Sequence, residues 1–307
     1  MWTAKGLVGI AAFSLIGVLM FAPPARAHEE VAALRDTGAT AKGAIDLRAL
    51  DGPARDRVYS CDRSVMGVAL ARPWLDQDGT IYFADKPVIE GAVPWASVLT
   101  ISETLKTLVI ASNGLPSHVT GIFPVQRASV AFQYDRNPNS IMAQSLRYEI
   151  PKEPQFADAP SCLPMGTIGV AATGAVFFNA LDAPGRDAVA NEIFDLCEGH
   201  PQRQGLYHYH HASPCFAQGV ENEHSPLAGY ALDGFRIYGR RGENGAFATN
   251  AALDACHGHI GSVPDAAEIY HYHLTEEFPY TLGCFTGEVD VRYLRRRPGL
   301  GPGGPPR

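Results

Sequence analysis

Short runs of β-branched and aromatic residues, each bounded by glycine, proline, asparagine or aspartate, recur along the chain and predict strands joined by turns. Clear examples are residues 65–70, 80–83, 107–111, 129–134 and 167–179. Residues 230–238 predict a hairpin, because Asp233-Gly234 between two apolar runs is a typical two-residue turn. We therefore expect a mainly β, sandwich-like domain with a few short helices.

One segment has helical spacing instead. Val189, Ile193 and Leu196 recur at intervals of four and three within residues 184–197, which predicts a helix with one apolar side. Residues 251–256 predict a shorter helix. Each predicted helix precedes one copy of a histidine motif and is expected to lead into it.

That motif is the tetrapeptide Tyr-His-Tyr-His, which occurs at residues 207–210 and again at 270–273. Alternate side chains of a strand point to opposite faces, so the two histidines of each copy share one face and the tyrosines the other. Each copy follows an Asp-x-Cys-x-Gly-His segment and precedes a Cys-Phe pair. The two copies are therefore predicted to be divergent internal repeats of one unit.

The repeated histidines predict a site for a divalent transition metal. Histidines two apart in a strand start roughly 6.5 to 7 Å apart at Cα, and their rings can lean inward to share an ion at about 2.0 to 2.1 Å. The predicted ligands are His200, His208, His210, His259, His271 and His273. Imidazole ligation favours copper or zinc as the cofactor. One joint site and two separate sites both stay open, as does the alternative that these are core histidines satisfied by hydrogen bonds.

A metal site also needs groups that orient its ligands. The residues placed to orient the ligands by hydrogen bonds are His118, Asp195, Asp233 and Asp254. Asp233 can equally be a simple turn residue. His118 and His224 follow turns and are either ligands or bases, or exposed loop histidines.

The first 27 residues predict a secretory signal peptide, with Lys5 before an apolar run and Ala25-Arg26-Ala27 as a cleavage site. The mature chain is expected to be periplasmic or secreted, without a stable membrane span. Its first residue would be His28, whose amine and imidazole could chelate copper unless the terminus is simply disordered. The formal net charge of −7 makes nucleic acid a poor partner and cations a reasonable one.

Six cysteines in an exported chain predict disulfides rather than thiolate metal ligands. Two symmetric arrangements stay open: Cys197 with Cys215 and Cys256 with Cys284, or Cys197 with Cys256 and Cys215 with Cys284. Either arrangement leaves Cys61 to pair with Cys162. The chain has no G-x-S-x-G elbow, phosphate loop, HExxH or EF-hand loop, which argues against a serine hydrolase, a nucleotide enzyme and an ordinary zinc protease.

Around the doubled tetrapeptide, residues 107–287 resemble the YHYH-domain family. The segments that carry the resemblance include Ser112-Asn113-Gly114, Asn137-Pro138-Asn139, Asn179-Ala180-Leu181-Asp182, His224-Ser225-Pro226 and Gly229-Tyr230-Ala231. The resemblance implies an exported, mostly bacterial protein and does not imply a reaction. Arg236 stands where relatives often have proline after Gly-Phe.

These observations predict five regions along the chain: a signal peptide at 1–27, a flexible arm at 28–56, a β extension at 57–106, the YHYH domain at 107–290 and a disordered tail at 291–307. The leading functional hypothesis is a metal-binding protein, and the residues do not decide between a carrier and an enzyme. The alternative is a non-catalytic module that recognises a sugar or a protein. Its aromatic surface would comprise the motif tyrosines with Phe235, Tyr238 and Phe285.

Overall fold

The computed structural model of the chain describes residues 40–43, 47–63, 67–68, 70–217 and 219–294. Within these residues the protein is mainly β, as predicted. The strands are β1 (Thr40–Lys42), β2 (Arg48–Ala49), β3 (Val58–Tyr59), β4 (Thr80–Tyr82), β5 (Leu99–Glu103), β6 (Thr107–Ser112), β7 (Leu146–Pro151), β8 (Phe156–Ser161), β9 (Thr167–Ala171), β10 (Val176–Phe178), β11 (Gly199–Pro201), β12 (Tyr207–Tyr209), β13 (Leu227–Ala231), β14 (Arg236–Tyr238), β15 (Gly258–Val263), β16 (Ala266–His273) and β17 (Phe285–Gly287). The helices are α1 (Ala188–Asn191) and α2 (Val291–Leu294), with 3₁₀ turns at Val130–Gln133, Glu243–Gly245 and Asn250–Ala252.

One eight-stranded sheet organises the fold, in the order β11-β12-β10-β9-β13-β14-β16-β15. The order is symmetric about its centre, where β9 and β13 pair antiparallel. On each side the next strand is the hairpin partner, β10 or β14. The strand that carries a histidine motif, β12 or β16, pairs parallel with β10 or β14. The edge strand, β11 or β15, then pairs antiparallel with the motif strand. The two halves therefore share a topology, while their origin by duplication stays a prediction.

Glycines allow the two central strands to approach closely. A Cβ on Gly169 would lie 2.7 Å from the Tyr230 carbonyl oxygen. A Cβ on Gly229 would overlap the Val170 carbonyl oxygen and lie 2.9 Å from Ala171 Cα. Real Cβ atoms do not tolerate such contacts with backbone, so glycine is required where the halves meet.

Replacing Gly229 with alanine is therefore expected to destabilise the protein by about 2 to 3 kcal/mol, because the backbone must move apart to admit a methyl group. Urea denaturation of the metal-free protein measures the change. Gly242→Ala is the matched control, since its Cβ would meet nothing closer than His273 Nε2 at 3.7 Å and its φ is −90°. Equal losses in the two variants would contradict the close-approach argument.

Smaller sheets surround the central one. Strands β5, β6 and β7 form a three-stranded antiparallel sheet, and β8 pairs with β17, β1 with β4 and β2 with β3. Large side chains fill the core, including Trp74, Phe177 and Phe194, each exposed by 1% or less. The described residues do not establish a second sheet packed face to face on the first, so the sandwich-like layering stays a prediction.

Three disulfides are formed: Cys61–Cys162, Cys197–Cys215 and Cys256–Cys284. The last two each join the segment before a histidine motif to the segment after it. The arrangement within each half is therefore correct, and the alternative that joined cysteines across the halves is wrong.

The helix predicted at 184–197 is wrong apart from the four residues of α1. The Asp187 carboxylate caps this turn by accepting the N–H groups of Val189 and Ala190. The chain is already extended at Glu192 and then pairs with another segment, where Ile89 N–H donates to the Phe194 carbonyl. Long-range pairing of the backbone thus overrides the helical spacing.

Other local predictions have mixed outcomes. The 230–238 hairpin is confirmed by β13 and β14 with Gly234 at φ +93°. The run at 167–179 forms two strands, β9 and β10, joined by a turn. The strand predicted at 129–134 and the short helix at 251–256 are wrong, because these regions contain only 3₁₀ turns. In 65–70, residues 67, 68 and 70 are not in a strand and the other three lie outside the described residues.

The ends of the chain are described only in part. The predicted signal peptide and His28 lie outside the described residues. Strands β1 and β2 fall within the predicted flexible arm, where they pair with β4 and β3. The predicted tail begins with the single turn of α2, and residues 295–307 lie outside the described part. Among the described helices, none has both the length and the apolar character needed to cross a membrane.

Candidate metal sites

The first histidine cluster, which we call site one, comprises His200, His208, His210 and Glu192. His200 on β11 lies directly opposite His208 on β12, and His208 shares its face of the strand with His210. The Nε2 atoms of His208 and His210 are 3.1 Å apart. Glu192 Oε2 lies 3.3 Å from His200 Nε2 and 3.5 Å from His210 Nε2. The four side chains thus aim donor atoms at one point.

Hydrogen bonds fix the tautomers of the two motif histidines. Nδ1–H of His208 donates to the Leu206 carbonyl at 3.2 Å, and Nδ1–H of His210 donates to the Asn179 carbonyl at 2.6 Å. A carbonyl oxygen can only accept, so in the neutral rings each Nε2 carries a lone pair. Two lone pairs therefore face each other across 3.1 Å.

Two facing lone pairs repel each other unless a cation or a hydrogen-bond donor lies between the rings. Burial lowers the pKa of His208 well below its ordinary value and that of His210 to about 4, so an extra proton is disfavoured at neutral pH. A tetrahedral ion at about 2.0 to 2.1 Å from each nitrogen holds two Nε2 atoms roughly 3.3 Å apart. The observed spacing fits such an ion.

His200 is buried, Glu192 is partly buried, and neither has its polar atoms fully paired or its charge fully balanced by the residues around it. His200 is 3% exposed, and neither of its ring nitrogens makes a hydrogen bond to a described residue. Burial raises the pKa of Glu192 well above its ordinary value, and the charges of Asp182 and Asp135 raise it further. A divalent cation would stabilise both the lone pair and the carboxylate.

The second cluster, which we call site two, comprises His224, His259, His271 and His273. His259 on β15 lies opposite His271 on β16, with Nε2 atoms 3.1 Å apart. His271 and His273 present their Nε2 atoms to each other at 3.0 Å. The His224 ring centroid is 5.1 Å from that of His273, and its buried Nε2 has no hydrogen-bond partner among the described residues. Site two therefore offers four imidazoles.

The tautomers of site two are fixed as in site one. His271 Nδ1–H donates to the Ile269 carbonyl at 3.0 Å, and His273 Nδ1–H donates to the Gly239 carbonyl at 2.8 Å. Burial lowers the pKa of His271 to about 4 and that of His273 to about 3. His224 likewise donates Nδ1–H to the Ser225 carbonyl at 2.8 Å. His271 and His273 are therefore neutral rings whose Nε2 lone pairs face each other, as in site one.

The two clusters are separate. Strands β10, β9, β13 and β14 stand between β12 and β16 in the sheet, which at about 4.8 Å per strand is far beyond the reach of one ion. The six predicted ligands all fall within these clusters, three in each. The structure therefore separates the predicted ligands into two histidine clusters.

The carboxylates predicted to orient the imidazoles contact the tyrosines instead. Asp195 accepts the Tyr207 hydroxyl at 2.9 Å, and Asp254 accepts the Tyr270 hydroxyl at 2.8 Å. Asp233 similarly accepts the hydroxyl of Tyr272 at 2.6 Å. The reason is the alternation of the strand, which sends the tyrosines to the face opposite the histidines. Backbone carbonyls take the orienting role that was expected of Asp195, Asp233 and Asp254.

His118 does not orient a histidine of either cluster, although the sequence predicted that it would. Its Nδ1 contacts the Val119 carbonyl at 2.8 Å and its Nε2 contacts the Tyr209 hydroxyl at 2.6 Å. It lies close to Cys197 and Cys215, but these sulfurs are joined in a disulfide and offer no thiolate. The group formed by His118, Cys197 and Cys215 is therefore structural.

Two donors in the clusters were not among the predicted ligands. Glu192 has no signal in the sequence that separates it from a surface glutamate. For His224 the sequence leaves open a ligand, a base or an exposed loop histidine, and the structure places its ring beside His271 and His273 of β16. Both residues reach their sites through long-range packing.

The geometry defines a class: a mainly β, disulfide-bonded protein with two histidine clusters in one sheet. The family model described as "YHYH protein" matches residues 147–251, which confirms the resemblance over this region. The match contains the first tetrapeptide and all of site one, and it ends before the second tetrapeptide. No curated protein and no solved structure matched the chain.

Proposed function

We propose that this is an exported metal-binding protein that holds one divalent transition ion, copper or zinc, in each of its two sites. The observation that carries the proposal is the pair of Nε2 lone pairs, 3.0 to 3.1 Å apart, that recurs in both halves of the sheet. Export to the periplasm or outside the cell is supported by the three disulfides and by the predicted signal peptide.

Copper and zinc are favoured because imidazole nitrogen dominates both donor sets. Neutral rings with lowered pKa values bind a metal without first losing a proton. Site one adds the Glu192 carboxylate to three imidazoles, and site two adds His224. Both sets reach the four donors that a tetrahedral ion requires.

The recognition module is the weaker candidate. The aromatic side chains predicted to form the recognition surface are buried: Phe235 is 6% exposed, Tyr238 2% and Phe285 0%. Tyr207, Tyr209 and Tyr272 are fully covered as well. A sugar or protein partner cannot stack on rings that lie inside the core.

Metal analysis of the untagged chain purified from the periplasm tests the proposal. We expect two equivalents of copper or zinc after loading and dialysis, and none in the His208→Ala/His271→Ala double variant. His118→Ala is the matched control, because it removes a histidine outside both sites and should keep both ions. A folded wild-type chain that retains neither copper nor zinc would overturn the proposal.

A further inference from the structure

We infer that the ion in site one binds, as an additional ligand, a small uncharged molecule with a nitrogen or oxygen lone pair, which enters through a cleft lined by Glu192 and the three histidines. The inference rests on the proposed metal binding and assigns site one a second occupant. It concerns only this site, because the cleft adjoins site one.

The cleft leads from the surface to the donor atoms. All four side chains of site one line it, and the three histidines among them are only 2 to 3% exposed. Its walls include carboxylates and amides from several segments, among them Asp62, Asp135, Asn137, Asn139, Asp182 and Gln202. An ion held by the inner side chains would therefore have one side turned toward the cleft.

The direction of the protein ligands leaves that side accessible. His200, His208 and His210 all rise from one face of the β11–β12 ribbon, so they occupy one side of an ion. Glu192 approaches from the extended chain after α1 and takes another position. Zinc can expand to five ligands, and copper(II) adopts tetragonal geometries, so a further ligand can be added without displacing a protein group.

Charge sets the class of molecule that fits. Asp135 keeps its carboxylate at the cleft while accepting the N–H groups of Asn137 and Ile193. Asp182 is paired with Arg186, so its charge is partly compensated. Three acidic side chains and one basic side chain line the walls: Asp62, Asp135, Asp182 and Arg203. Their net negative charge disfavours anions and favours molecules that carry N–H or O–H donors.

Copper(II)-loaded protein can be titrated with imidazole at pH 8, where that probe is uncharged and carries an N–H donor. The electron paramagnetic resonance spectrum should show new nitrogen coupling on half of the bound copper in the wild-type chain. In the His271→Ala variant, whose site two is weakened, one equivalent of copper should occupy site one, and nearly all of the bound copper should respond. Acetate, an anionic oxygen donor, should need at least a tenfold higher concentration for a comparable change.

A variant that narrows the cleft gives an independent measurement. Asn139→Trp should keep copper in site one and lose the response to imidazole, because Asn139 lines the cleft without being a metal donor. Leu105→Trp is the matched control, since Leu105 is 100% exposed and is not among the residues that line the cleft. An Asn139→Trp chain that responds like the wild type would overturn the cleft as the route.

The outcomes separate this inference from the proposed function. If no copper binds, metal binding itself fails and the inference falls with it. If copper binds but its spectrum is unchanged by imidazole, or if acetate binds equally well, only the additional ligand is overturned.

Discussion

Replacing His208 with alanine is expected to weaken one of the two metal sites by roughly a hundredfold or more and to leave the other unchanged. A structural zinc site contributes about 10 to 16 kcal/mol through its ligands, so one of four ligands accounts for roughly 3 kcal/mol. Each 1.4 kcal/mol is about a tenfold change in Kd. Competition with a chromophoric chelator measures both affinities in one titration.

His271→Ala is the matched control for this experiment, because His271 occupies in site two the position that His208 occupies in site one. Each has its Nδ1 on the backbone carbonyl two residues before it and its Nε2 on the next motif histidine. The two substitutions should therefore affect different ions. Loss of both ions from either single variant would show that the histidines form one coupled centre, contrary to the separation of β12 and β16.

The alternation of Tyr and His predicts much of each site from the sequence alone. A strand period of two places His208 and His210 on one face, and this holds in β12 as in β16. The segment before each motif also contributes its histidine as expected, because β11 and β15 pair antiparallel with the motif strands. The shared face and the antiparallel pairing both involve residues that are close in the chain, so the local sequence pattern predicts them well.

What the sequence could not predict depends on distant segments. The tautomers of His210 and His273 are set by the carbonyls of Asn179 and Gly239. These two residues directly follow β10 and β14, the strands that pair parallel with the motif strands. Parallel pairing is not visible in a local pattern. Glu192 falls inside the helix predicted from the sequence for the same reason. Its extended conformation follows from the pairing of Phe194 and Asp195 with the distant Ile89, which local spacing does not show.

The face opposite the histidines is where the largest loss of stability is expected. Asp195 is fully buried and accepts the N–H groups of Gly121, Cys197 and Gly199 together with the Tyr207 hydroxyl. In Asp195→Ala all four donors lose their acceptor inside the core. At about 1 kcal/mol or more for each buried donor, the free energy of unfolding should fall by about 4 kcal/mol or more.

Asp254 provides the matched control for Asp195 within the same molecule. It accepts the N–H groups of Cys256 and Gly258 and the Tyr270 hydroxyl in the same pattern, but it is exposed. Water can replace its carboxylate, so Asp254→Ala should cost only about 1 kcal/mol. Urea denaturation of both metal-free variants tests the difference. Equal losses would mean that the shared pattern of hydrogen bonds, rather than the burial of Asp195, determines the contribution, and the burial argument would then be wrong.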